Sequence, residues 1–453
     1  MLASQTEKVS LPNNWRARPY QAELMRYMFG DGSLNGKRAD CVWHRRAGKD
    51  SCCLQVAAIG SQVRVGTIWH MLPTLNQGRK VIWNGVDGDG RRMIDQAFPS
   101  GMVEGRNDTE MLIRFKNGSY YQVVGSDNYN SLVGANPVGV IFSEYSVADP
   151  AAWDYIRPIL AENGGWALFI YTFRGRNHGW KLFEVAKKNP KWFVSLKTVD
   201  DTTREDGTPV ISPDVVQAER EAGMSNELIQ QEFYCSPDGG LEGAFYTESL
   251  KIARAGGRIG NYPYDPTKRA QTWWDIGIRD ATAIIVTQRH ESGKPIIVDY
   301  FEERNVPLDL WAKKLGSTQY NFEEHWGPHD LEHRDWTSGK TRREYALSLG
   351  IDFEVVPKIP VQDGIEQAQA LIRTCYFDEG ASERLLDALA SYRREWDPHM
   401  MKFRDRPLHD WASNGADSFR TLAVGWRDQS WLKSVGRTFK VIRAAGGAIR
   451  ARS

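Results

Sequence analysis

The stretch that most constrains this chain lies between residues 40 and 59. The apolar run Asp40–Trp43 reads as a short strand. It enters the turn His44-Arg45-Arg46-Ala47-Gly48-Lys49-Asp50-Ser51, and the apolar segment Cys52–Ile59 that follows reads as a helix. Strand, basic turn, Gly-Lys, helix is the order a phosphate-binding loop needs. Backbone N–H groups at the start of the helix face the anion, and the helix dipole favours it. Gly48 allows close backbone approach, and Lys49 has the reach and charge to meet β and γ phosphates. The turn departs from the usual loop twice: one of two spaced glycines is missing, and Asp50 stands where Ser or Thr normally follows the lysine. A Gly-Lys turn alone equally describes an exposed basic corner, so the rest of the chain has to decide.

With 453 residues, the chain has room for two or three domains. A hydrophobic share of 41% and a charged share of 25% exclude a disordered chain, a collagen and a disulfide scaffold. No apolar run is long enough to span a membrane, and the first residues lack the apolar stretch of a signal peptide. Five cysteines (Cys41, Cys52, Cys53, Cys235, Cys375) form neither a CxxC pair nor a zinc spacing, which fits a reducing, intracellular setting. The formal charge of +1 means that any nucleic-acid binding must rest on local patches.

Further strands are expected at Val65–His70, Leu112–Phe115, Tyr120–Val124, Val138–Phe142 and Trp166–Thr172, interleaved with helices, which suggests a mostly parallel, doubly covered sheet. Residues 206–265 are polar with scattered Pro and Gly and read as a linker region after a first domain over 1–205. A second strand-rich domain, 266–428, opens with the meander Gln271–Ile278, Ala283–Gln288 and Ile296–Phe301, turning at Gly293. Shorter strands are expected near Trp326–His329 and Phe353–Val356. Residues 429–453 form a basic tail, either a solvated end or a contact for DNA or a partner.

The run Val138–Phe142 ends in Ser143-Glu144. In ATPases of this kind a carboxylate at the end of such a strand orients the attacking water, and Glu144 fits that role, while Ser143 stands where an Asp normally acts on Mg²⁺. Upstream, Arg18-Pro19-Tyr20-Gln21 sits where a glutamine can read adenine. Downstream, strand 166–171 ends in Thr172, where a polar side chain can sense the γ-phosphate.

HRRAGKD, HMLPTLNQGRK, NPVGVIFSEYS and YTFRGRNHGW, in this order and spacing, resemble the large terminase subunit of tailed bacteriophages, and the resemblance runs from about Trp15 to Thr421. It implies an α/β chain: an N-terminal P-loop (ASCE-type) ATPase domain with a parallel sheet, then an RNase H-like nuclease domain. It implies ATP-driven translocation of viral double-stranded DNA into a procapsid and metal-dependent cleavage of concatemeric DNA. The implied cofactors are ATP and Mg²⁺, with Mn²⁺ able to substitute in the nuclease. The implied partners are DNA, the portal protein and the small terminase subunit. The chain would be a homo-oligomeric ring when docked or a monomer in solution, without a membrane, at the portal vertex in the bacterial cytoplasm. Arg45 or Arg46 would contact phosphate charge, beside Lys49 and Glu144. Gln21, Ala47, Gly48, Asp50, Ser51 and Thr172 complete the expected nucleotide contacts. The Mg²⁺ ligand stays open between Asp50 and Ser51. Arg79, Arg91 and Arg92 are candidates for an arginine inserted into a neighbour's site.

A nuclease requires gathered acids. Trp273-Trp274-Asp275-Ile276-Gly277 puts a carboxylate on the first strand of the meander, where a cation or donor has to accompany it. Asp330 follows a later short strand, and Asp410 and Asp417 stand seven apart around a helix. Asp275, Asp330 and Asp417 resemble the terminase nuclease triad, which would hold two metal ions for phosphodiester hydrolysis. Asp410 also suits a helix N-cap. Glu332 and Asp335 are alternatives to Asp330, and Asp280 and Asp299 can also face the site. His329 and His409 suit hydrogen-bond support better than metal ligation. Two rivals remain: a helicase-like or remodelling ATPase whose second domain only binds nucleic acid, and a non-catalytic capsid adaptor keeping a dead ATPase fold.

Overall fold

The computed structural model describes residues 15–132, 134–239, 241–277, 281–334, 341–397, 400 and 402–426. The chain divides into two compact units, 1–240 and 241–453.

In the first unit, β1 (Arg38–Trp43), β2 (Thr67–Leu72), β3 (Val103–Asn107), β4 (Leu112–Phe115), β5 (Tyr120–Gly125), β6 (Gly139–Ser143), β7 (Trp166–Tyr171) and β8 (Trp192–Lys197) form one sheet in the order β3-β4-β5-β2-β6-β7-β1-β8. From β5 to β8 along that order every pair is parallel, while β3 and β4 add an antiparallel edge. Every residue of β6 and β7 is buried. Cys41, Trp43, Ile141 and Leu168 belong to one core, and Val42, Val140, Phe142 and Phe169 to another on the opposite face. A sheet covered on both faces needs apolar side chains at successive positions, which is why these strands read as unbroken apolar runs. The strand that leads into the basic turn, β1, is separated from the acid-ending β6 by β7, the order expected of an ASCE-type ATPase. Because the three are parallel, their C-terminal ends and the loops that follow lie at one edge.

In the second unit, β9 (Ile259–Gly260), β10 (Ala270–Asp275), β11 (Ala281–Arg289), β12 (Pro295–Arg304), β13 (Phe322–Gly327), β14 (Phe353–Val355) and β15 (Tyr376–Asp378) form a sheet ordered β14-β13-β10-β11-β12-β15-β9. β10, β11 and β12 are the expected antiparallel meander, and β13 and β14 join in parallel on the free side of β10. This is the RNase H-like arrangement. A C-terminal helix over 412–426 covers the face that carries Trp273, Ala283 and Ile285. A separate hairpin, β16 (Arg394–Asp397) with β17 (Lys402–Pro407), was not foreseen.

The division at 240/241 corrects the linker expected over 206–265. Its first part folds onto the first unit as the helices Pro213–Glu221 and Asn226–Glu232, whose few apolar residues, Val216, Ile229 and the following Phe233, pack with Val199. Its last part supplies the helix Thr247–Ala255 and β9 to the second unit. The composition is polar because each helix buries only a narrow stripe. The basic tail lies outside the described residues. No described helix is long and apolar enough to cross a membrane, and all five cysteines are buried free thiols.

Candidate functional site

At the C-terminal end of β1 the chain turns through residues 44–48 into helix α1, Lys49–Val63. Gly48 is its N-cap with φ 74°, a left-handed conformation that glycine adopts without steric cost. Arg46 (φ 70°) and Glu144 (φ 55°) are held in the same region, where a non-glycine residue costs about 1–3 kcal/mol. The loop is braced by the helix that starts at Pro19. Tyr20 OH donates to the Ala47 carbonyl at 2.6 Å, and Gln21 Nε2 donates to the carbonyls of Ala47 (3.1 Å) and Gly48 (3.4 Å). Gln21 Oε1 accepts from Arg18 N at 3.0 Å. Both ends of the Gln21 amide thus bond backbone, which braces the loop from below.

Lys49 is buried, and its ammonium donates to Thr172 Oγ1 at 3.0 Å, Trp43 O at 3.3 Å and His44 O at 3.4 Å. Thr172 in turn donates to Trp43 O at 2.8 Å. Glu144 Oε1 lies 3.9 Å from Lys49 Nζ, with the Glu144 side chain 37% exposed. Residues expected from three separate motifs therefore meet at the ends of β1, β6 and β7. The loop after β7 is fixed to the segment after Glu144: Asn177 Nδ2 donates to Ser146 O at 2.6 Å, and the His178 ring meets Tyr145 O at 2.7 Å. Burial takes the His44 imidazole down to about 4, so it stays neutral beside Lys49.

A polar chain reaches this site through the sheet. The buried His70 ring on β2 bonds Tyr121 OH and Ser143 Oγ, each at 2.8 Å, and Ser143 Oγ donates to Asp50 Oδ1 at 3.3 Å. Burial, reinforced by the Glu144 charge, lifts the Asp50 carboxyl to about 6. Ser51 is half-buried on the first turn of α1.

One residue at this site was not foreseen. Glu232 is buried, accepts from Arg174 Nη1 and lies 3.6 Å from Arg45 Nη1, while its backbone carbonyl accepts from Arg45 N at 2.8 Å. Arg176 likewise pairs with Asp238 at 2.7 Å. The basic turn and the loop after β7 are therefore both held by the segment 232–238. Its only sequence signal was an acid next to an apolar helix stripe in a stretch read as linker. Arg46 is exposed. Among the candidates for a neighbour's site, Arg79 donates to the carbonyls of Asp108 and Thr109, Arg91 pairs with Asp87 and Asp89, and Arg92 bonds Trp83 O. Each has partners within its own unit.

In the second unit Asp275 ends β10 on the face of Trp273. Ser418 Oγ donates to Trp273 O at 2.9 Å, which seats the C-terminal helix, and with it Asp417, beside the end of β10. Burial opposes the charge of Arg420, yet Asp417, Tyr392, Tyr246 and Asp275 together hold its pKa above the ordinary value. Arg420 Nη1 lies 3.0 Å from Asp417 Oδ1. Asp275 pairs in register with Ala283, and Ala283 with Glu302. Glu302, also unforeseen, accepts from Arg384 Nε at 3.0 Å and Asn414 Nδ2 at 3.4 Å, one helical turn before Asp417.

The structure seats the helix of Asp417 against the strand that ends in Asp275, and Asp330 follows β13, the parallel neighbour of that strand. Asp330 pairs with Arg342 at 3.3 Å. Among the described residues no group of three or more His, Cys, Asp or Glu side chains is placed to hold a metal ion. Glu332 pairs with Arg343, and Asp299 accepts from Tyr320 OH. Asp410 accepts from Ala412 N at 3.0 Å and pairs with Arg393, the helix-start alternative. Asp280 and Asp335 lie outside the described residues.

No family model matches the chain, and no curated protein does. Solved structures of large terminases are among those it is similar to. That of a thermophilic bacteriophage, in complex with ADP, is 14% identical, with 90% of this chain and 98% of that one covered and a TM-score of 0.40. The large terminase ATPase domain of a Thermus phage is 18% identical over 49% of this chain and 94% of that one, TM-score 0.37. The large terminase nuclease domain of the bacteriophage SPP1, with bound Mn, is 15% identical over 38% and 96%, TM-score 0.29.

Proposed function

We propose that this chain is a large terminase: an ATPase that drives viral double-stranded DNA into a procapsid, joined to a metal-dependent endonuclease that cuts the concatemer. The observation that carries the first half is the meeting of Lys49, Thr172 and Glu144 at the ends of β1, β7 and β6. Lys49 holds phosphate charge. Glu144, partly exposed and restrained by its left-handed backbone, polarises the attacking water. Thr172, bonded to both Lys49 and the end of β1, carries loss of the γ-phosphate into the loop 173–177. In ATP hydrolysis a divalent cation neutralises charge on the phosphate oxygens.

The second half rests on Asp275 and Asp417 on an RNase H-like sheet and its covering helix. They would hold Mg²⁺ or Mn²⁺, which activates water and stabilises the leaving oxygen. Their carboxylates suit such a cation, and Arg420, 3.0 Å from Asp417, competes with it for the same negative charge. DNA, the portal protein and the small terminase subunit are the proposed partners, in the bacterial cytoplasm at the portal vertex.

A plasmid-cleavage assay with Mn²⁺, run beside ATP turnover, tests the division of labour. Asp275→Asn and Asp417→Asn should abolish cleavage and keep ATP turnover and the packaging of DNA that already has an end. A folded Asp275→Asn chain that still cuts DNA overturns the nuclease assignment and favours an ATPase with a second unit that only binds nucleic acid.

A further inference from the structure

The departures at positions 50 and 143 compensate each other. In P-loop ATPases the cation is held by a hydroxyl following the loop lysine and a carboxylate ending the acidic strand. Here both positions are filled by the other chemistry: Asp50 follows Lys49, and Ser143 precedes Glu144. The two side chains touch, with Ser143 Oγ donating to Asp50 Oδ1 at 3.3 Å. Mg²⁺ takes oxygen ligands at about 2.1 Å in octahedral geometry, so neighbouring ligand oxygens lie about 3 Å apart. The observed separation spans two adjacent ligand positions with a shift of a few tenths of an ångström.

We propose that Asp50 and Ser143 together are this protein's ligands to the cation of a bound nucleoside triphosphate, an exchanged pair with the carboxylate on the loop and the hydroxyl on the strand. The inference rests on the ATPase assignment above and deepens it. The local bonding supports it. With its proton donated to Asp50, the Ser143 oxygen accepts from His70 Nε2–H, whose Nδ1 accepts from Tyr121 OH. A hydroxyl oxygen has two lone pairs, so one remains for a cation. His70 is a positioning residue here: it fixes where the Ser143 oxygen points. Lys49 and Glu144 stand on the same edge, so the cation would lie where the phosphates and the attacking water are expected. The exchange keeps one carboxylate and one hydroxyl, and hence the net charge at the cation.

The test is an exchange cycle. The full-length protein is compared with Asp50→Thr, Ser143→Asp and the double variant Asp50→Thr/Ser143→Asp, folding being checked by circular dichroism. Two quantities are read: the affinity for a fluorescent ATP analogue with Mg²⁺ against EDTA, and the Mn²⁺ electron paramagnetic resonance signal with a non-hydrolysable ATP analogue. Each single variant should lose tenfold or more of the metal-dependent gain in affinity, Asp50→Thr for want of a carboxylate and Ser143→Asp because two carboxylates then crowd one position. The double variant should recover to within about threefold of the parent and restore the bound-Mn²⁺ spectrum, because sites in contact are not additive. Singles that keep the full metal-dependent gain, or a folded double variant no better than the worse single, overturn the proposal. Lys49→Ala separates this from failure of the ATPase assignment. A parent chain that binds the analogue no better than Lys49→Ala, with or without metal, refutes that assignment and the cation site with it.

Discussion

Removing the Glu232 charge should loosen the first unit more than any exposed ion pair would. Glu232 is 3% exposed, and Arg174 is 17% exposed. Replacing one partner of a buried pair costs about 3–5 kcal/mol, because the other charge is left desolvated. Arg174 retains some water, and glutamine still offers an oxygen, so Glu232→Gln should cost about 2–4 kcal/mol. In a unit of this size each kcal/mol moves Tm by about 2–4 °C, so the transition of this unit should fall by roughly 4–16 °C. Arg45, whose side chain is 66% exposed, gives the contrast: Arg45→Ala should cost less than about 1 kcal/mol. The assay is thermal unfolding followed by circular dichroism on Glu232→Gln, Arg174→Met and the double variant. The double should be less destabilised than the sum of the singles by about 1.5 kcal/mol or more. Additive singles, or a Glu232→Gln shift below about 2 °C, would refute a coupled pair.

Two further outcomes follow from the first unit. Asp40, buried in β1, has its carboxyl pushed well above the usual range by burial, and the Tyr171 hydroxyl proton is shared between Asp40 Oδ2 (3.2 Å) and Gly179 O (2.7 Å). The folded state then holds a proton the unfolded chain has released, so stability falls as pH rises above the usual Asp range toward the folded pKa. Asp40→Asn should stabilise the chain, with a gain that grows as pH rises above the usual Asp range, by at most about 1.4 kcal/mol per pH unit in denaturant titrations; a gain that shrinks with pH contradicts it. Gly48→Ala would strain a backbone at φ 74° and bring a Cβ within 3.0 Å of Gln21 Nε2, so it should lose roughly 1–2 kcal/mol and raise the KM for ATP; unchanged KM and Tm would contradict the brace under the loop.

The strands that position the first site were legible because burial on both faces writes an apolar run into β1, β6 and β7. Their chemistry was legible because Glu144 and Thr172 directly follow a strand and Lys49 opens the helix after the turn that follows one. β8 was missed: its run Trp192-Phe193-Val194-Ser195-Leu196-Lys197 is only partly buried at the sheet edge and looks like neither pattern. β16 and β17 carry mostly charged residues, held by Arg404 to Asp397 and Glu395, and have no hydrophobic signature. Glu232 and Glu302 matter through partners far away in sequence, Arg174 and Arg384, and one chain's spacing does not encode such contacts. Asp330, too, has a partner, Arg342, that its place after a short strand does not announce.

Glu144 acts on water at a site built around Lys49 in the proposed function. Binding of ATP and its turnover, measured on one preparation of Glu144→Gln with Lys49→Ala as reference, test it most directly. Glu144→Gln should bind ATP within a few-fold of the parent and lose at least about a hundredfold in turnover, since a general base contributes about 10²–10⁴ to rate. Lys49→Ala should lose both. Near-normal turnover by Glu144→Gln would contradict the account.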